Sequence, residues 1–197
     1  MKIIKWFQRP LNVTLSVVLA STGLLPLFLG GSALAYGQVQ SRSIEMSDSS
    51  AGSSATSYAV NFTTATTGTV AGIVVDFCAG TSSPIIGDTC AAPTGFSVGT
   101  PTVTGQSGNI STLTTAASAN TGRTLELSGT GASLTAPAVV SFTLTTATNP
   151  TTTGTFYARI FTFASSTGPA TWVTANSDGS STTGVVDAGG VALSTAA

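Results

Sequence analysis

The chain has 197 residues, with six basic and seven acidic side chains and no histidine. So few cations exclude the basic stripe that nucleic acid or an anionic membrane would need. The missing histidine excludes the Ser-His-Asp triad and the usual histidine-containing metal sites.

In chain order, Lys2, Lys5 and Arg9 come first with no acid among them, and an apolar stretch follows from Leu11 to Leu29. Gly30-Gly31-Ser32-Ala33-Leu34-Ala35 ends it. A basic flank, an apolar middle and small residues at Ala33 and Ala35 predict a secretory signal over 1–35, cleaved after Ala35. The rival is an uncleaved anchor, because the stretch nearly reaches spanning length. Pro26 and the Ala-Leu-Ala exit favour cleavage. Either way the cations stay on the cytoplasmic side, so the remainder is expected outside the cell or on its surface.

Without the leader 162 residues remain, enough for one domain over 36–197. That part holds Arg42, Arg123 and Arg159 against all seven acids, a net charge of −4. It has no lysine, which removes Ser-Lys catalysis and Lys–Asn crosslinking. Ser and Thr supply about a third of it, well above ordinary usage. Hydroxyls in place of charges suit a secreted surface, and β-branched Thr suits strands.

Tyr36 to Gln40 leads into a first strand at Arg42 to Met46, and the small polar residues from Ser47 to Ser57 predict a loop. Tyr58, Val60 and Phe62 alternate with polar neighbours, the period of a half-buried strand. Val70 to Cys78 is apolar on both faces and reads as a central strand. Ser83-Pro84 and Ala92-Pro93 bracket a loop. Phe96 to Val103 and Ile110 to Leu113 carry weaker strand signals, and Thr124 to Leu127 is short and alternating. Val140, Phe142 and Leu144 share one face of Val139 to Thr145. Within Gly154 to Phe163, Phe156, Ala158 and Ile160 lie opposite Tyr157, Arg159, Phe161 and Phe163. Trp172-Val173 and Gly184 to Leu193 are expected to close the fold.

No segment after the leader sustains a helical period. The fold class is therefore all-β, an immunoglobulin-like β-sandwich preceded by an N-terminal signal helix. The two cysteines, Cys78 and Cys90, predict a local disulfide that stabilises by roughly 3 kcal/mol in the loop-entropy picture. One internal echo stands out, Val60-Asn61-Phe62-Thr63 against Val140-Ser141-Phe142-Thr143, each followed by a Thr-rich turn and a more apolar strand. This pattern fits two hairpins in equivalent places or chance in a Thr-rich chain.

Arg42 to Met46, the expected Tyr58 to Gly68 hairpin, Val74 to Cys90 and the tail from Asp187 to Ala196 resemble a group of secreted, Ser/Thr-rich surface proteins of small-genome bacteria of the candidate phyla radiation. The resemblance spans most of the mature chain through low-complexity motifs. It implies a cell-envelope protein and carries over no functional residues. It also implies a further strand after such a tail, so the domain is expected either to be truncated or to take its last strand from a partner.

For chemistry, Asp76 and Glu126 are the carboxylates placed on strands where a glycosidase pair would sit. Scattered acids on a secreted surface explain them equally well. Asn176-Ser177-Asp178-Gly179-Ser180 with Asp187 fails the EF-hand spacing and reads as an Asp-Gly turn. No metal and no cofactor is expected. Trp172 and Tyr157, with Tyr36, are the aromatics that could stack on a sugar, although a lone Trp is more often core. Asn61-Phe62-Thr63 and Asn109-Ile110-Ser111 match the N-glycan acceptor pattern. The expected function is an exported, non-enzymatic structural or interaction protein. Its expected partners are other envelope proteins, copies of itself or glycans; the alternative is a carbohydrate-binding or adhesive module.

Overall fold

The computed structural model describes residues 36–80, 86–175 and 180–197. The expected leader with Ala33 and Ala35, the Ser83-Pro84 pair and the expected Asp-Gly turn at 176–179 lie outside the described residues.

Alternation writes the four-stranded sheet. Thr56–Thr63 (β3) buries every second residue, and Val139–Ala147 (β8) does the same through Val140, Phe142 and Leu144. Gln40–Met46 (β2) flanks β3 and Val103–Ser107 (β5) flanks β8, all antiparallel, in the order β2-β3-β8-β5. Continuous apolar runs write the centre of the six-stranded sheet. Gly68–Cys78 (β4) and Gly154–Phe163 (β9) are buried on both faces and pair antiparallel, the pattern expected of strands covered above and below. Around them lie Thr124–Leu134 (β7), Thr115–Ala119 (β6), Val185–Thr195 (β10) and Gly37–Gln38 (β1), in the order β1-β10-β9-β4-β7-β6. The β1–β10 pair is parallel. The principal core joins the sheets face to face, with Val60, Phe62 and Phe142 from one meeting Ile73, Val75 and Ile160 from the other.

Several sequence expectations need correction. Trp172-Val173 is no closing strand: Gly168–Ala175 is a helix (α1). Eight residues are too few to display a 3.6-residue period, and the signal was Pro169, which suits a first turn. α1 can sit on the sheet because Gly72 in β4 leaves room; a Cβ there would lie 2.5 Å from the Pro169 ring. Ile110 to Leu113 is a turn, closed by the Leu113 N–H donating to the Ile110 carbonyl at 2.9 Å, with both apolar side chains buried. Phe96 and Val98 are buried as the alternation predicted, yet their N–H groups donate to the Pro93 and Gly122 carbonyls and not to a ladder. Alternation reports which side chains are inside; it does not report what the backbone bonds to.

The internal echo is also not a pair of hairpins. β3 and β4 lie in different sheets, as do β8 and β9. Each unit crosses the core, and the echoing segments lie side by side and antiparallel, with Val60 opposite Phe142 and Phe62 opposite Val140. β4 and β9 pair in the same sense in the facing sheet.

Candidate functional site

Chemistry-bearing side chains converge on the outer face of the six-stranded sheet. Because successive residues of a strand point to opposite faces, β4 sends Val74 and Asp76 outward while Ile73, Val75 and Phe77 join the principal core. Strand pairing then sets one rung, in which Asp76 lies between Thr124 of β7 and Arg159 of β9. Arg123, just ahead of β7, reaches the same place.

Asp76 is fully buried and saturated with donors. Its Oδ1 accepts from Arg123 Nε at 3.0 Å and from Thr124 Oγ1 at 2.7 Å, and its Oδ2 accepts from Arg159 Nη2 at 2.9 Å. Arg159 is 0 % exposed and Arg123 5 %. One further donor of each guanidinium turns to a lid. Arg159 Nη1 donates to the Asp88 carbonyl at 2.7 Å, and Arg123 Nη1 donates to the Cys90 carbonyl. Both acceptors belong to the segment closed by the Cys78–Cys90 disulfide. Ala79 N–H donates to the Ala91 carbonyl at 2.8 Å beside it, which fixes the lid's hinge. The sequence-predicted staple therefore clamps main-chain oxygens over two buried cations.

Beside this cluster a second apolar patch forms from Val74, Phe161, Phe163, Trp172 and Ala188. The Arg159 guanidinium lies 5.9 Å from the Phe161 ring centre, and Phe161 packs on Trp172 at 4.9 Å. Trp172 is 1 % exposed, and its indole N–H donates to the Ser181 carbonyl at 2.9 Å. It offers no face for stacking on a sugar. Tyr157 is half-buried on β9, and Tyr36 packs against the patch that holds Trp172.

Asp76 and Glu126 are not a glycosidase pair. Asp76 is committed to two guanidiniums, and Glu126 stands opposite Val74 two residues along β7 from Thr124. Burial pushes the Glu126 carboxyl above the ordinary glutamate range. Asp76, Cys78 and Cys90 bring potential ligand atoms within 4.8 Å of one another. The donor set does not fit a divalent cation, since disulfide sulfurs are not thiolates and two guanidiniums against one carboxylate leave the site net positive. Asn61 is half-exposed on β3, and Asn109 is exposed.

The ion cluster was missed in the sequence although a signal existed. Asp76 interrupts an apolar run, Arg159 interrupts another, and charges inside central strands are seldom buried unless paired. Among the described residues no helix is long and apolar enough to cross a membrane. No family model and no curated protein matches the chain.

Proposed function

We propose that this chain is an exported structural or interaction protein of the cell surface, acting through contacts and not through a catalytic centre. The observation that carries the reading is where the reactive groups go. Arg123, Arg159 and Asp76 are consumed in holding the lid, and Arg42 spends Nε on the Gly190 carbonyl at 2.5 Å and Nη1 on the Val39 carbonyl at 2.8 Å. What faces outward is mostly hydroxyl and small, which permits close lateral packing without like-charge repulsion. The edge of β10 supports addition of a neighbour's strand. Its ends are taken, by Val39 N–H on the Ala188 carbonyl and by Ser49 and Ala51 on Ala196. Between them Ala192 and Ser194 are exposed, with no main-chain partner on that side among the described residues.

We read the architecture as an immunoglobulin-like sandwich. Support comes from the neighbouring β2 and β3 in one sheet and the run β1-β10-β9-β4 in the other, while the strands between β4 and β8 take an order of their own. The likeness to envelope proteins of small-genome bacteria agrees with export. A Cys78–Cys90 disulfide is compatible with an oxidising exterior.

The test is to express the whole gene in a secreting bacterium, label intact cells with an antibody and measure the mass of the purified product by light scattering. Surface labelling and concentration-dependent oligomers are expected. A product that stays monomeric at high concentration and is shed removes the assembly reading. A cytoplasmic product with both thiols free removes export. Binding to a polysaccharide that Tyr157→Ala abolishes would move the reading to a carbohydrate-binding module.

A further inference from the structure

Asp187 begins the parallel pairing of β10 with β1, opposite Gly37. It is 1 % exposed. Its Oδ2 accepts from the Ala65 and Thr66 N–H groups at 3.2 and 3.3 Å, but its buried Oδ1 has no hydrogen-bond partner among the described residues. Among the described residues no Lys or Arg pairs with it. An ionised carboxylate in that position is costly unless a cation or a donor meets the second oxygen.

The free oxygen lies against Gly37, two residues after Ala35. A Cβ on Gly37 would lie 2.0 Å from Asp187 Oδ1, so the carboxylate sits directly against the Gly37 backbone, and no larger residue fits there without moving it. One residue earlier is Tyr36, the first residue after Ala-Leu-Ala. One residue spans at most about 3.6 Å, so the Tyr36 nitrogen is within about one residue's reach of the carboxylate beside Gly37. While Ala35 is attached, that nitrogen is a neutral amide and carries no charge to offer the carboxylate. Hydrolysis of the Ala35–Tyr36 bond by a signal peptidase, with water as co-reactant, leaves a carboxylate on Ala35 and an amine on Tyr36. At neutral pH that α-amine is largely protonated, and an ammonium–carboxylate hydrogen bond is of the strong, charge-assisted kind.

We propose that the α-ammonium of Tyr36, released by cleavage after Ala35, is the missing partner of Asp187. The inference rests on the export reading. It makes removal of the leader the last step of folding, because the new terminus locks β1 onto β10 and onto the β3–β4 turn that supplies Ala65 and Thr66. The precursor lacks this lock.

The test uses the full gene exported from a secreting bacterium. Four versions are compared: the natural chain, one with a glycine inserted between Ala35 and Tyr36, Asp187→Asn, and the two changes together. Intact mass and terminal sequencing identify the first residue, and thermal unfolding measures each product. The natural product is expected to start at Tyr36. Each single change should lower the Tm by several degrees, and the combination should be no worse than Asp187→Asn. The mature chain has no lysine, so an amine reagent reads the terminus alone. Labelling should be about tenfold slower in the natural product than in the insertion, as for an amine whose pKa is raised by about one unit. Should Asp187→Asn not fold, the insertion and the labelling still decide. A product that starts at Tyr36 but shows the same Tm and labelling with and without the insertion overturns the proposal and leaves export standing. A product that starts elsewhere, or keeps its leader, also overturns the proposal, and only a product retained in the cytoplasm overturns export with it.

Discussion

The inner face of the six-stranded sheet carries Ile73, Val75, Phe77, Leu127 and Ile160, whereas its outer face carries Val74, Asp76, Thr124, Arg159 and Phe161. The two faces are equally dry and are held in different ways. The inner face needs only shape, because each side chain gains from burial in proportion to its apolar area. The outer face needs partners at fixed places, since a buried guanidinium without acceptors is costly. Those acceptors lie on one carboxylate and on two carbonyls of a segment that a disulfide holds down. The comparison teaches that this chain's disulfide does more than shorten a loop.

The strongest way to break the comparison is Asp76→Ala, which leaves two cations buried together. It should cost about 3–5 kcal/mol in urea unfolding, at least as much as the cavity left on the inner side by Phe142→Ala, also about 3–5 kcal/mol. Replacing all three ions at once with apolar residues of similar volume should recover much of that loss, though not all, because the Asp88 and Cys90 carbonyls would then lack donors. A triple variant as unstable as Asp76→Ala would mean that packing, not charge, governs the outer face.

Removing the staple comes next. Cys78→Ala with Cys90→Ala is expected to exceed the roughly 3 kcal/mol of loop entropy, since the lid's carbonyls are released as well. A double-mutant cycle with Arg159→Met should show coupling of about 0.5–3 kcal/mol, as for groups in one network. Additivity in that cycle would separate the disulfide from the ions.

A smaller effect sharpens the inner side. Tyr58 is buried, and its hydroxyl donates to Asn149 Oδ1 at 2.6 Å. Burial raises its pKa well above the ordinary 10.0. The folded state therefore holds that proton more tightly than the unfolded chain does. The resulting stability is complete below pH 10.0 and is lost as pH rises further. Tyr58→Phe should cost about 1 kcal/mol at neutral pH and should flatten the alkaline fall in Tm.

The smallest effect belongs to Glu126. Burial raises its pKa above 4.5, so its contribution is present below that value and is lost as pH rises through the folded-state pKa. Glu126→Gln should leave the fold intact and remove this component from a Tm series taken between acid and neutral pH. A pH profile unchanged by the substitution would show that the side chain reaches solvent.

Legibility in the sequence followed the range of the interactions. Period-two alternation at Tyr58–Phe62 and Val140–Leu144, and the double-faced run at Val70–Cys78, are properties of neighbouring residues, so strand identity and facing could be read directly. The Cys78–Cys90 pair was readable because the chain holds two cysteines, each with the other as its one possible partner. α1 was not, because a helix of eight residues has no room for its own period and is held by Gly72 and Phe161 from distant strands. The Asp76–Arg159 pairing, 83 residues apart in the chain, depends on the register of β4 against β9. Sequence by itself determined the class, two apolar-faced sheets with a local staple and few charges. Only the tertiary structure decided which charges meet, which crossing joins the echoing strands and which oxygen of Asp187 is left waiting, because each of these is set by register between segments that no local pattern connects.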